Sequence, residues 1–169
     1  RVHFSHFRTY SYSAGKVAER VELIDKAKAE GVDCSLELYP YPTGSSDGVH
    51  LLPGYAHEGG PDAILHRLKD PSERQKLIDY LDNDYASFQP TDMHHSTLEE
   101  MVFTNIPKAR HLEGMSLPDV VQERGVSMGE MLCDLLLENE LQVGFRGAPP
   151  VSVALWRQVS RDCLELLSR

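Results

Sequence analysis

A parallel α/β fold is what the sequence of this 169-residue chain predicts, and two observations carry the prediction. Two short apolar runs, RVHFSHF and VDCSLELYPY, flank a helix-period stretch of four turns, which is the arithmetic of one βαβ unit. A second helix-period stretch, VSMGEMLCDLLLENE, is followed by the strand-like LQVGFRG and then by another helix. A closed eight-stranded barrel takes roughly 250 residues, so barrel material of this length is only part of one.

The elements follow in order. Residues 1–7 alternate Val2, Phe4 and small Ser5 with His3 and His6, and read as a short strand that gives way to the loop TYSYSAG. In KVAERVELIDKAKAEG, Val17, Val21 and Ile24 recur at helical spacing while Glu19, Glu22 and Asp25 fall elsewhere. Gly31 suits a helix C′ position, and the strand after it is stopped by Pro40.

From Pro40 to Gly60 the Pro, Gly and Ser content predicts a long loop, and loops of that size are usually functional. Two helices come next, GPDAILHRLKD and DPSERQKLIDYLDND, the second started by Asp70 as N-cap, Pro71 and Glu73. Residues 84–115 are the hardest to read. They hold FQPTDMHHST, a short strand in MVFTNI and a loop with HLEGMS. Ser116 caps SLPDVVQERG, and Ser127 with Glu130 caps the helix whose stripe is Met128, Met131, Leu132, Leu135 and Leu136. Pro149 and Pro150 end the last strand. The final helix is expected to bury Val153, Trp156, Val159, Cys163 and Leu166 or Leu167.

Composition narrows the function classes. Apolar residues are 41% and charged residues 25%, which excludes general disorder. With 17 basic against 26 acidic side chains and a net charge of -9, no nucleic-acid partner is expected, because backbone binding needs a concentrated positive field. No apolar run approaches the ~20 residues that span a bilayer, so no membrane partner is expected. Cys34, Cys133 and Cys163 are odd in number and set in apolar stretches, and read as reduced, buried thiols of a cytoplasmic protein. Arg1 opens the chain inside a strand pattern, which leads us to expect a segment of a longer protein.

Several motifs then stand in one order: SHF, ELIDKAKAEGVD, LELYPYPTGSS, LLPGYAHEGGPDAILHRLKDPSERQKL, EGMSLPDVVQERGVSMGEMLCDLLLENE and LQVGF. Together they resemble the D-aminoacylase (N-acyl-D-amino-acid deacylase) branch of the amidohydrolase superfamily, over nearly the whole chain. The resemblance implies an α/β chain that is a portion of a (β/α)8 TIM-type barrel with an added helical insertion. Val2 to His6 would be its fifth strand, Ser35 to Tyr39 its sixth and Gln142 to Phe145 its seventh, with residues 42–115 forming the loop and insertion. It implies zinc in the intact enzyme and a small-molecule N-acyl amino acid as substrate. His6 matches a strand-end metal ligand, and Arg8, Tyr39 and Ser45 match the substrate-binding region.

Zinc takes three or four N, O or S ligands from converging strand ends and lowers the pKa of bound water. One His cannot do this alone, so the 169 residues by themselves are expected to be inactive and to retain zinc poorly. The family's usual Lys after the SH motif is Arg8 here, a planar fork in place of a point charge. The sixth strand ends in Tyr39 where amidohydrolases generally place a His. Either Tyr39 stands beside the metal without binding it, or a loop histidine such as His50 substitutes.

Each residue also has an ordinary reading. His3 is a strand histidine; Tyr39 and Tyr41 are packing residues at a strand end; Ser45 and Ser46 are turn residues. His94 and His95 are adjacent, so their side chains diverge. Cys133 is an inert thiol within a core stripe. Two further readings stand beside the deacylase: a cyclic-amide hydrolase of the hydantoinase or dihydroorotase kind, and a non-catalytic scaffold that forms homo-oligomers through exposed strand edges.

Overall fold

The computed structural model describes residues 1–10, 13–41, 43–85, 101–147 and 152–168. It is mixed α/β and divides into two units, Arg1–Thr43 with Pro149–Arg169, and Gly44–Ala148. FQPTDMHHST with His94 and His95, and the pair Pro149 and Pro150, lie outside the described residues.

The first unit is a βαβ unit with one further helix. Strands β1 (Val2–Phe4) and β2 (Cys34–Leu36) run parallel in the register Val2↔Cys34, His3↔Ser35 and Phe4↔Leu36. Helix α1 (Val17–Ala29) joins them and buries Val17, Val21 and Ile24, the i, i+4, i+7 line that the sequence marks. It stops because Gly31 takes a left-handed φ of 88°, which lets the Val32 N–H reach back to the Ala27 carbonyl at 3.0 Å. Both strands are shorter than the apolar runs suggest. β1 ends where the chain turns at Ser5 and His6, and two backbone bonds carry the pairing onward among the described residues, Glu37 N–H to Phe4 O at 3.0 Å and Phe7 N–H to Glu37 O at 2.8 Å.

Helix α6 (Val153–Leu167) is capped by Ser152, whose hydroxyl accepts from the Leu155 N–H, and buries Val159, Asp162, Cys163 and Leu166. This corrects the sequence reading for two residues. Val153 is 64% and Trp156 46% exposed, in line with Leu164 and Leu167. The apolar arc of α6 is wider than the flank it buries, and Val153 and Trp156 occupy the uncovered part.

Among the described residues the second unit packs four helices with an antiparallel sheet. Helices α2 (Gly60–Lys69) and α3 (Pro71–Asp79), the latter continued by a π-helical turn over Tyr80–Tyr85, precede α4 (Leu117–Arg124) and α5 (Met128–Glu138). Their starts follow the sequence signals. Asp70 accepts from the N–H groups of Ser72 and Glu73, Ser116 from Asp119 and Ser127 from Glu130. The core is built on Leu68, Leu77, Leu81, Met131, Leu132, Leu135 and Leu136, each at most 1% exposed. Gly129 is required where α5 meets α3, since a Cβ there would lie 2.6 Å from the Ile78 carbonyl oxygen.

The sheet of this unit corrects a second expectation. β5 (Gly144–Arg146), placed by the resemblance as a seventh barrel strand, lies antiparallel between β3 (Ser45–Asp47) and β4 (Val102–Asn105), in the registers Ser45↔Arg146 and Phe103↔Phe145. Apolar alternation is the same in either direction; the partner decides it. The run from Pro40 to Gly60 is not structureless, because it contributes β3 and 3-10 turns over Gly48–Leu51 and Gly54–His57. Among the described residues the parallel component is the β1–β2 pair, and no helix is long and apolar enough to cross a membrane.

Candidate functional site

The polar groups of the first unit gather where β1 and β2 end. Because the strands are parallel, the residues that follow Phe4 and Leu36 leave the sheet at one end, the carboxyl end where α/β proteins place their chemistry. His6 leaves it in an unusual backbone state, with φ at 58°. A left-handed conformation costs an L-residue about 1–2 kcal/mol, and such outliers cluster at functional sites. The turn exposes the imidazole and sets it edge-on to the Tyr39 ring, with centroids 5.0 Å apart and planes at 89°.

Beneath this pair lies Arg8, 1% exposed. Its guanidinium sits over the Tyr39 ring at 4.6 Å and over Tyr10 at 5.2 Å. Nη1 donates to the carbonyls of Tyr39, at 3.4 Å, and Tyr41, and Nε donates to the Thr9 carbonyl at 3.1 Å. These bonds direct the fork onto the chain itself, so Arg8 joins the end of one strand to the segment after the other.

The next residue extends the anchoring. Thr9, 0% exposed, donates its hydroxyl to Asp162 Oδ2 at 2.6 Å, the Gly15 N–H reaches the same oxygen at 2.7 Å, and Gln158 Nε2 donates to Asp162 Oδ1 at 2.7 Å. Cys163, beside Asp162, has its thiol 4.0 Å from the Tyr39 carbonyl. Burial raises that thiol's pKa, with Asp162 adding to the rise and the Arg8 charge opposing it.

The outer rim carries a second set. Ser5 donates to Glu37 Oε1 at 2.6 Å, His3 Nδ1 pairs with Ser35 Oγ at 2.9 Å, and His3 Nε2 stands 3.8 Å from Glu37 Oε2. The Ser5 hydrogen bond chiefly holds the Glu37 carboxyl below its usual range; slight desolvation opposes this, and the charges of His3 and His6 assist it. What the rim offers is an exposed anion beside two imidazoles.

The structure therefore brings together His6, Arg8 and Tyr39 of the residues singled out from sequence. Ser45 lies in the other unit, paired with Arg146 in the sheet. Its neighbour Ser46 has Oγ 2.6 Å from His50 Nδ1, so His50 is engaged locally. Glu37, Thr9 and Asp162 complete the strand-end site and were not singled out. Asp162 carried a signal: it falls on the apolar line of α6, three residues after Val159 and four before Leu166, where a carboxylate needs partners. Cys133 and Cys163 are buried as read from the sequence, the Cys133 thiol being pushed up to about 11 by burial, whereas Cys34, on the two-stranded sheet, is only half-buried.

The donor set also tests the zinc reading. Among the described residues no three His, Cys, Asp or Glu side chains stand close enough to hold a metal ion. Beside His6 stands the Tyr39 ring, at right angles to the imidazole, and Glu37 is engaged with Ser5. The described residues alone do not fit a zinc site, which needs at least three converging ligands.

No family model and no curated protein matches the sequence. Three solved structures are similar to it. One is a D-aminoacylase mutant in complex with copper chloride, at 19% identity and a TM-score of 0.48 over 99% of this chain and 24% of that one. Another is N-acyl-D-glutamate deacylase from Bordetella bronchiseptica, complexed with zinc and a phosphonate inhibitor, at 13% identity and 0.47 over 93% and 23%. The third is a D-aminoacylase whose structure defines a novel subset of amidohydrolases, at 18% identity and 0.46 over 99% and 24%. The chain spans about a quarter of the length of the solved structures it matches.

Proposed function

We propose that the first unit is the part of an amidohydrolase barrel that carries its fifth and sixth strands, in an enzyme that hydrolyses the amide bond of N-acyl-D-amino acids with zinc. One observation carries the reading: His6 and Tyr39, which the motifs single out independently, meet at the carboxyl end of a parallel strand pair, ring against ring at 5.0 Å. In this reading His6 contributes one ligand, and the other ligands come from outside the described residues. Tyr39 addresses the polar groups of the substrate, and Arg8, sealed beneath it, fixes the angle at which that ring is presented. The reading keeps β5 out of the barrel, because its pairing is antiparallel.

The test uses the intact polypeptide that carries these residues. It is expected to release D-amino acids from N-acetyl-D-amino acids in preference to the L-forms, to lose this on chelation and to regain it with zinc. His6→Ala is expected to lower kcat/KM by at least about 100-fold. Absence of chelator-sensitive release from any N-acyl amino acid, or an unaffected His6→Ala enzyme, would overturn the reading.

A second reading rests on a different observation. Among the described residues β1 and β2 each keep an open edge within their two-stranded sheet, and Val2 and Phe4 are 42% and 36% exposed. Open parallel edges with apolar side chains favour association. The 19.0 kDa chain is then expected to elute as an oligomer in size-exclusion chromatography. A monomer at every concentration contradicts this reading and leaves the enzymatic one untouched.

A further inference from the structure

We infer that Asp162 is the positioning residue of the strand-end site, holding the segment after His6 so that the imidazole keeps its contact with Tyr39. The inference rests on reading that strand end as the functional site. Its basis is a chain of anchors on consecutive residues. His6 occupies a left-handed φ of 58°, and such a state persists only when its surroundings over-determine it. After it, the Phe7 N–H is tied to Glu37 O, Arg8 to the Tyr39 and Tyr41 carbonyls, and Thr9 to Asp162.

The first two anchors connect one strand end to the other and move with them. The third is different, because it fixes the segment to α6. Asp162 is 2% exposed, and both of its oxygens are occupied, by Thr9 and Gly15 on Oδ2 and by Gln158 on Oδ1. A carboxylate taken out of water needs donors in place of its hydration. Three donors satisfy Asp162, and two of them belong to the segment after His6. Its neighbour Cys163 faces the Tyr39 carbonyl. Consecutive residues of one helix turn thus hold the two strand tips, and α6 sets the distance between the rings.

The experiment reads that distance directly by NMR of the 169-residue chain. The wild type should show a cross-peak between the His6 and Tyr39 ring protons, together with cross-strand peaks between β1 and β2. Asp162→Leu strips the acceptors, and the ring–ring peak is expected to vanish while the Val2–Cys34 peaks remain. Asp162→Asn should restore it, since an amide oxygen can serve Thr9 and Gly15 while the Gln158 amide turns to meet the new NH2. If Asp162→Leu does not fold, Thr9→Val takes its place, because it removes one donor at nearly constant volume and is expected to weaken the same peak. A full-strength His6–Tyr39 peak in folded Asp162→Leu, or in Thr9→Val where Asp162→Leu is unfolded, would overturn the inference.

Catalysis does not enter this measurement. Loss of the peak in a protein that has no deacylase activity supports the positioning and defeats the proposed function. In an active enzyme, a persistent peak does the reverse. Where both hold, Thr9→Val in the intact enzyme is expected to lower kcat with KM nearly unchanged, the pattern of a misaligned site and not of a weakened substrate contact.

Discussion

Arg8→Ala is expected to cost about 2–4 kcal/mol of stability, read as a lower urea midpoint. The side chain is 1% exposed, so truncation opens a cavity between two tyrosine rings and removes the donors of three carbonyls. An orphaned buried carbonyl costs about 1–3 kcal/mol, and the lost packing adds to this. Two effects hold the total down. A buried guanidinium carries its own desolvation penalty, which truncation relieves, and the Tyr39 carbonyl keeps the Cys163 thiol at 4.0 Å. Arg8→Met separates the contributions, because it keeps most of the stem and none of the donors. A loss in Arg8→Met close to that in Arg8→Ala assigns the effect to the carbonyls. Arg8→Lys should recover only part, since an ammonium cannot form the planar stack and the fork together. An unchanged midpoint in Arg8→Ala would contradict the burial itself.

The fold was legible wherever local chemistry decides it. Val17, Val21 and Ile24 mark α1 by spacing, Gly31 marks its end, and Asp70, Ser116 and Ser127 mark three helix starts with hydroxyl or carboxylate acceptors. The direction of β5 was not legible, because its partners are strands about 40 and about 100 residues away, and nothing in GFR records which way they run. β3 escaped for another reason. Ser45–Asp47 is polar throughout and owes its extended form to pairing with β5, not to any alternation of its own.

The site was legible in part. A histidine at the end of an apolar strand and a tyrosine before Pro40 can both be seen in the sequence, and the parallel pairing brings them together. Arg8 was visible as a charge, and its burial was not, because that depends on Tyr10 and Tyr39 enclosing it. Asp162 is the instructive omission. A charged residue on the apolar line of a helix is costly without partners, and two of its three partners lie about 150 residues away in the chain, at Thr9 and Gly15. Long-range polar satisfaction leaves only the anomaly in the local pattern, and an anomaly of that kind is worth pursuing.

Leu136→Ala is the other large effect, expected to destabilise the second unit by about 3–5 kcal/mol. Leu136 is 0% exposed in the core of that unit. It borders Gly48, where a Cβ would stand 3.4 Å from Leu136 Cδ2 and 3.2 Å from Val143 Cγ1, and the Gly48 N–H is bonded to the Val143 carbonyl. That backbone bond limits how far the wall can collapse into the void, which places the cost toward the upper end of what a buried leucine truncation shows. Leu136→Met fills nearly the same volume and should lose less than about 1.5 kcal/mol. Leu164→Ala supplies the contrast. Its side chain is on α6 and 68% exposed, so its truncation should stay within about 0.5 kcal/mol. Chemical denaturation followed by circular dichroism ranks the three, and a Leu164→Ala loss as large as that of Leu136→Ala would mean that the open flank of α6 is covered in solution.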